Sequence, residues 1–314
     1  MKKIKGCRIL ITGGAGFIGS NLTDSLIGDN YIVVVDDLSM GKLENLPKSP
    51  NLSFYKHTIT DYDFMEKLLL KWKFDYIFLL AAVASVADTI KRPFTTHKVN
   101  QDANINILED VRVNKLSVKK ILFSSSAAVY GNNPGLPKKE ISAIDPLSPY
   151  AVDKFASERF VIDYGKLYGI PTVATRFFNV YGPKQNPKSP YSGVLSLIKA
   201  AAKNNRTFTI FGDGKQTRDF VYIEDVVKAM ELLMVSRNAI HKVYNVATSK
   251  VTSLNSIIDV FGEISGKDIS VNYEDARPGD IKESYASIDK IQALGYKPKY
   301  TINVGLKKYW NSSK

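Results

Sequence analysis

One cysteine, Cys7, stands in a chain of 314 residues, so no disulfide can form within it. It lies in a β-rich run and reads as a buried, inert thiol, for which a reducing, cytoplasmic setting is expected. No stretch approaches eighteen consecutive apolar residues and no apolar h-region precedes Gly6, so neither a membrane span nor a signal peptide is expected. Nothing repeats at a fixed period, and no low-complexity linker divides the chain. The net charge of +12 suits polyanions, but the lysines are scattered and form no long basic block. That pattern describes a solvated surface with a few arginines for a diphosphate; no nucleic acid is expected as partner, and no metal. What remains, 44% hydrophobic and 24% charged, is an ordinary globular chain whose core needs no staples.

The run Cys7-Arg8-Ile9-Leu10-Ile11-Thr12 predicts a strand, and a helical stretch runs on to Ile27. Between them stands Gly13-Gly14-Ala15-Gly16-Phe17-Ile18-Gly19, which satisfies G-x-G-x-x-G from Gly14 and G-x-x-G-x-x-G from Gly13. Such glycines allow a tight turn, a close approach of backbone N–H groups to a pyrophosphate, and tight packing of helix on strand. A second strand, Tyr31–Val35, ends in Asp36-Asp37, where an acid can hold the adenosine ribose hydroxyls. An acid there repels a 2′-phosphate, so NAD is the expected cofactor rather than NADP. The two aspartates also suit a turn.

Further strands are predicted at Leu52–Lys56, Asp75–Leu80, Lys119–Ser124 and Thr172–Arg176, with helices at Tyr62–Trp72, Gln101–Val113 and Tyr150–Tyr168. This alternation means a Rossmann-type α/β fold with a doubly wound parallel sheet. Gly13–Gly19, Asp36, Ala81–Ser85, Ser124–Ser126 and Asn179 all fall at the carboxyl ends of strands and so converge on one crevice. From Tyr181 the chain becomes rich in turns, which divides it into a dinucleotide-binding domain over residues 1–180 and a smaller mixed α/β substrate lobe over 181–314, with interleaved boundaries. Arg218 and Arg277 could clamp a diphosphate through their guanidinium forks, or pair with the adjacent acids Asp219 and Asp280.

Tyr150 and Lys154 are four apart and share one face of a helix, with Ser124-Ser125-Ser126 upstream. A free tyrosine ionises near pH ~10, so making it a base at neutrality takes roughly three units, about 4 kcal/mol. Lys154 and an oxidised nicotinamide would supply the positive field, and a serine hydroxyl could pass on the substrate proton. The alternative is a solvated helix face.

The glycine loop, Ser-Ser-Ser-Ala-Ala-Val-Tyr-Gly at 124–131, Tyr150-x-x-x-Lys154, the Arg176–Pro183 run and the Gly212–Asp219 run occur in order. Together they resemble the extended short-chain dehydrogenase/reductase family, specifically its nucleotide-sugar epimerases, from Ile9 to about Trp310. The resemblance implies UDP-hexose 4-epimerisation, with Ser126, Tyr150 and Lys154 catalytic. It implies cofactor contacts from Gly13, Gly16, Phe17, Ile18 and Gly19, from Asp36, Asp37, Ser39 and Gly41, and from Thr58 and Ile59. Leu80, Ala81, Ala82, Asn100, Ser124, Tyr150, Lys154 and Phe177 complete that set. The substrate would meet Ala84, Ser85, Ser126, Tyr150, Asn179, Gln185, Tyr191, Gly193, Arg218, Arg277, Asp280 and Ser284.

Related dehydratases carry an Asp-Glu pair after the serine run and related decarboxylases a Glu; Ala127-Ala128 stands here, which favours an epimerase. Ser284, where Glc/Gal-only members have a bulky Tyr, leaves room for an N-acetyl group, as does small Ala84. UDP-GlcNAc/UDP-GalNAc is therefore the expected pair, with UDP-Glc/UDP-Gal also accepted. Two departures from the family pattern are His57-Thr58-Ile59, in place of Gly-Asp-Ile, and Leu79-Leu80 before Ala81-Ala82. Competing readings are a UDP-Glc-only epimerase, a uronate epimerase or decarboxylase, a reductase, and an NAD-sensing regulator. The helices Gln101–Val113 and Asp153–Tyr168 carry more apolar positions than one core stripe needs, and the resemblance implies a homodimer through them.

Overall fold

Short runs of β-branched and aromatic residues, most of them followed by an apolar stripe at helical spacing, build the larger part of the molecule. The structure is a computed structural model that describes residues 3–185, 193–276 and 282–312. In chain order its first half runs β1 (Arg8–Thr12), α1 (Phe17–Leu26), β2 (Tyr31–Asp36), β3 (Leu52–Lys56), α2 (Tyr62–Trp72), β4 (Tyr76–Leu79), α3 (Val86–Lys91), α4 (Pro93–His97), α5 (Ala103–Val113), β5 (Lys120–Ser126), α6 (Pro149–Tyr168) and β6 (Thr172–Phe177). There follow β7 (Val180–Tyr181), α7 (Val194–Lys203), β8 (Phe208–Phe211), β9 (Thr217–Arg218), β10 (Val221–Tyr222), α8 (Ile223–Val235), β11 (Lys242–Val246), β12 (Thr252–Ser253), α9 (Leu254–Ser265), β13 (Val271–Glu274), β14 (Glu283–Ser284), α10 (Asp289–Gln292) and α11 (Ile302–Asn311).

Seven parallel strands form the main sheet in the order β11-β6-β5-β4-β1-β2-β3. Both faces are covered, which is why its strands are apolar throughout rather than alternating. Ile9, Ile11, Ile32 and Val34 face one way and pack with Leu22 and Leu26 of α1 and Val226 and Met230 of α8. Leu10, Val33, Val35 and Ile121 face the other and pack with Leu68 of α2, Ile107 of α5 and Val161 of α6. The strand order turns about β1, so the carboxyl ends of β1, β2 and β4 open the crevice where ligands bind in such sheets.

β11 had no counterpart among the predicted strands. The chain passes residue 180, enters three small sheets, and then returns to pair β11 in parallel with β6. The helix predicted at Gln101 begins instead at Ala103, after a π-helical turn over Lys98–Asp102. There Asn100 turns inward: its side chain accepts from Val83 N at 2.8 Å and donates to Val83 O at 3.2 Å. No described helix is long and apolar enough to cross a membrane.

Candidate active site

A cavity of about 1100 Å³ runs along the carboxyl edge of the sheet, more than one small ligand requires. At one end lies the glycine loop. Gly13 has φ +68°, and a Cβ there would sit 2.8 Å from Ala81 Cα, so the loop and the β4 end are in van der Waals contact only because Gly13 has no side chain. The amino end of α1 has Gly16 as its cap with no side-chain hydrogen bond and no acid in the first turn. That cradle fits the diphosphate of a dinucleotide. Asp36, at the end of β2, accepts from Ala15 N at 3.0 Å and Leu38 N at 2.8 Å; burial raises its pKa while these N–H groups act against the rise. Asp37 accepts from Ser39 N and Oγ, closing a turn. Thr12 accepts from Leu80 N and Ala81 N through Oγ1 and so sets the β4 loop, a role with no motif to announce it.

The centre of the cavity depends on α6. Ser148 caps it by accepting from Ala151 N at 3.2 Å, and Pro149 occupies the first turn. Tyr150 therefore enters the cavity one turn ahead of Lys154. Tyr150 and Ser126 line the same wall, the Ser126 hydroxyl acts to lower the pKa of the phenol, and the β5–β6 pairing sets Ser126 opposite Phe177. Lys154 is buried at 2% exposure, donates to Ser124 O at 2.8 Å, and lies 4.9 Å from the Phe123 ring centre and 5.9 Å from that of Tyr150.

The electrostatics agree with the expectation that the lysine does not suffice and that a further positive charge, such as an oxidised nicotinamide, is needed to lower the phenol. Burial pushes Tyr150 above its usual value, with the Ser126 hydroxyl opposing, and burial also brings Lys154 down to about 7, with Asp153 opposing. A desolvated ammonium that is half-charged at neutrality cannot by itself ionise a desolvated phenol.

At the other end, β9 and β14 pair in parallel with Arg218 opposite Ser284, so the two candidate substrate residues share one register position. Asp219 is fully buried and accepts from Thr248 N, Thr248 Oγ1, Ser249 N and Ala286 N, which ties β9 to the segment after β14. Asn179 donates to Asp219 O at 3.3 Å. Gln185 Oε1 and Ser125 Oγ are buried in the wall without a hydrogen-bond partner among the described residues.

The wall contains Gly13, Gly16–Gly19, Asp36, Asp37, Ser39, Gly41, Thr58, Ile59, Leu80, Ala81, Ala82, Ala84, Ser124, Ser126, Tyr150, Lys154, Phe177, Asn179, Gln185, Arg218 and Ser284. Three sequence candidates stand outside it. Ser85 is buried and caps α3 by accepting from Asp88 N; Gly193 is the exposed cap of α7; Asn100 acts at one remove, through Val83. Tyr191, Arg277 and Asp280 lie outside the described residues. Val83, within the Ala81–Ser85 stretch expected at the crevice, is in the wall, and sequence reasoning missed Lys42, His57, Lys184, Lys199 and Lys203 there. Lys199 and Lys203, four apart on α7, carried the same spacing signal as Tyr150 and Lys154, but no motif marked them.

The family model described as GDP-mannose 4,6 dehydratase matches residues 10–309. A UDP-glucose 4-epimerase of Mycolicibacterium smegmatis is 35% identical over 309 residues, covering 96% of each chain. The structure of UDP-N-acetylglucosamine 4-epimerase from Methanobrevibacter ruminantium, in complex with UDP-N-acetylmuramic acid, is 39% identical with TM-score 0.92 over 98% of both chains. This chain belongs to the extended short-chain dehydrogenase/reductases, in their UDP-sugar 4-epimerase branch. A UDP-glucose 4-epimerase from Thermus thermophilus in complex with NAD is 32% identical, with TM-score 0.88 over 97% of this chain and 98% of that one. Members of the branch are NAD-dependent isomerases, and the wider family includes dehydratases. Among the described residues no cluster of His, Cys, Asp and Glu could hold a metal ion.

Proposed function

We propose that this extended short-chain dehydrogenase/reductase interconverts UDP-hexoses epimeric at C4, with UDP-GlcNAc/UDP-GalNAc as the preferred pair and UDP-Glc/UDP-Gal also accepted. The observation that carries this is one cavity with Tyr150, Ser126 and Lys154 between a dinucleotide cradle and the Arg218–Ser284 strand pair. NAD bound in the cradle supplies a reversible hydride acceptor, so that C4 passes through a ketone with no net redox change. Asp36 holds the adenosine ribose, and the Gly13–Gly19 loop holds the diphosphate. Tyr150 takes the C4 hydroxyl proton and returns it, with Ser126 bridging to the substrate oxygen. Lys154, anchored on Ser124 O, adds positive charge beside the phenol and orients the nicotinamide ribose. Asn179 and Arg218 hold the sugar diphosphate, and the family resemblance gives Arg277 and Asp280 the phosphate and uridine end and Gln185 and Tyr191 the sugar.

Ala127 and Ala128 follow Ser126 in the wall and offer neither acid nor base for dehydration. Ser284 and Ala84 leave room at the sugar for a 2-acetamido group. Assay of the purified chain on the four UDP-sugars tests this. All four are expected to interconvert within their pairs without stoichiometric NADH or NADPH, and Ser284→Tyr is expected to lose the acetamido pair by roughly a hundredfold or more, since overfilling a packed site is strongly disfavoured. Activity confined to UDP-Glc/UDP-Gal in the wild type contradicts the substrate assignment; net consumption of reduced cofactor contradicts the epimerase. We further propose a homodimer through α5 and α6, whose Val113, Phe160, Leu167 and Tyr168 are exposed in the single chain.

A further inference from the structure

The segment after β7 runs from the sugar end of the cavity to its dinucleotide end within a few residues. Asn179 and Val180 line the wall near Arg218, and Lys184 lines it beside the Lys42–Asn45 stretch of the β2–β3 loop. Lys184 has φ +69°, a left-handed conformation that is uncommon for a lysine. Its ammonium joins separate stretches of chain. It donates to Asn45 O at 2.7 Å in the β2–β3 loop, to Ser20 O at 3.5 Å on α1, and pairs with Asp24 on the same helix. One residue earlier, Pro183 O accepts from Asn21 Nδ2 at 3.1 Å. The β2–β3 loop is in turn fastened to the glycine loop, since Lys42 N at 3.1 Å and Asn45 Nδ2 at 2.9 Å both donate to Ala15 O.

We propose that Lys184 is a latch on the dinucleotide crevice: by bridging the segment after β7 to α1 and to the β2–β3 loop, it closes the mouth of the cradle and sets how long NAD stays bound. The proposal rests on the cavity being an NAD site. An exposed Lys–Asp pair alone would contribute little, and Asp24 is 44% exposed. Lys184 is different because its side chain is only 17% exposed and also meets two backbone carbonyls, contacts that open only if the loops part. The chemistry suits a long residence. An isomerase that returns the hydride to the sugar it came from has no need to exchange its cofactor between turnovers.

The test needs no catalysis. The full chain is loaded with radiolabelled NAD, chased with unlabelled NAD, and retained label is followed by rapid filtration. Lys184→Met is expected to release label roughly tenfold faster or more, as for the loss of a charge-assisted hydrogen bond. Lys184→Arg, which keeps the charge, should stay close to the wild-type rate, and Asp24→Asn should accelerate release to a smaller extent. Circular dichroism melts in saturating NAD establish that each variant is folded. Release from Lys184→Met at the wild-type rate would overturn the latch. Should that variant not fold, Asp24→Asn and Asn21→Ala carry the test from the far side of the contact, and wild-type release from both overturns it equally. A wild-type protein that retains no NAD removes the premise, and a direct count of bound nucleotide separates that result from a failed latch.

Discussion

At the scale of single residues, the site turns on how burial treats two ionisable groups one helical turn apart. Desolvation opposes the charged form of each, so Tyr150 moves up and Lys154 moves down, to about 7. The phenol is therefore not made acidic by its lysine alone, and the role of base proposed for Tyr150 requires further positive charge beside it. Tyr150→Phe removes the hydroxyl without changing ring volume. The expected result is a loss of kcat of roughly a thousandfold, with NAD content and thermal transition nearly unchanged, read by a coupled assay beside nucleotide analysis. Tyr150, Lys154 and Ser126 were legible because they stand in a motif with fixed spacing. Val83 and Asn100 were not legible as a pair, because the contact between them is made by a π-helical turn that no residue pattern announces.

At the scale of elements, α5 carries a titratable group out of its ordinary range. Asp110 is 9% exposed, accepts from Asn106 Nδ2 at 2.9 Å, and is raised to about 6, first by burial and then by Glu66 and Glu109. A carboxyl whose pKa is higher folded than unfolded stabilises the protein in its protonated form. That contribution is complete below about pH 4 and disappears as pH rises through about 6. Asp110→Asn keeps the neutral form at every pH. It should raise stability at pH 7 by about 1–2 kcal/mol and leave it unchanged near pH 3, a difference that urea melts at the two values resolve. The elements themselves were largely visible beforehand: α2 has the predicted bounds and β3 likewise, because each couples a clear period to a clear stop. Asp61 caps α2 by accepting from Phe64 N, and Lys73 ends it in the left-handed conformation. β11 escaped notice although Val243, Tyr244 and Val246 favour a strand, because it lies beyond residue 180 among short turn-rich elements and its place in the main sheet is set by pairing with β6.

At the scale of the whole molecule, Phe160, Leu167 and Tyr168 on α6 and Val113 on α5 are large apolar side chains that the folded subunit leaves exposed. A monomer would keep these side chains in water, whereas pairing α5 and α6 with a second copy removes them from it. Light scattering at micromolar concentration is expected to give twice the chain mass, and Leu167→Glu with Phe160→Glu should shift the protein toward monomer. The alternation of strand and helix and the glycine loop with its acid about twenty residues on were readable from the chain alone, because they rest on local spacing, and the Ser126, Tyr150 and Lys154 grouping proposed as catalytic was readable from motifs occurring in order. Folding alone sets Ser284 opposite Arg218 in register, joins Asn100 to Val83, makes Ser85 and Gly193 helix caps outside the wall, and lets Lys184 bridge α1 and the β2–β3 loop. Those relations join residues far apart along the chain, and which atoms meet is set by how the sheet and helices pack, which no short window of residues contains.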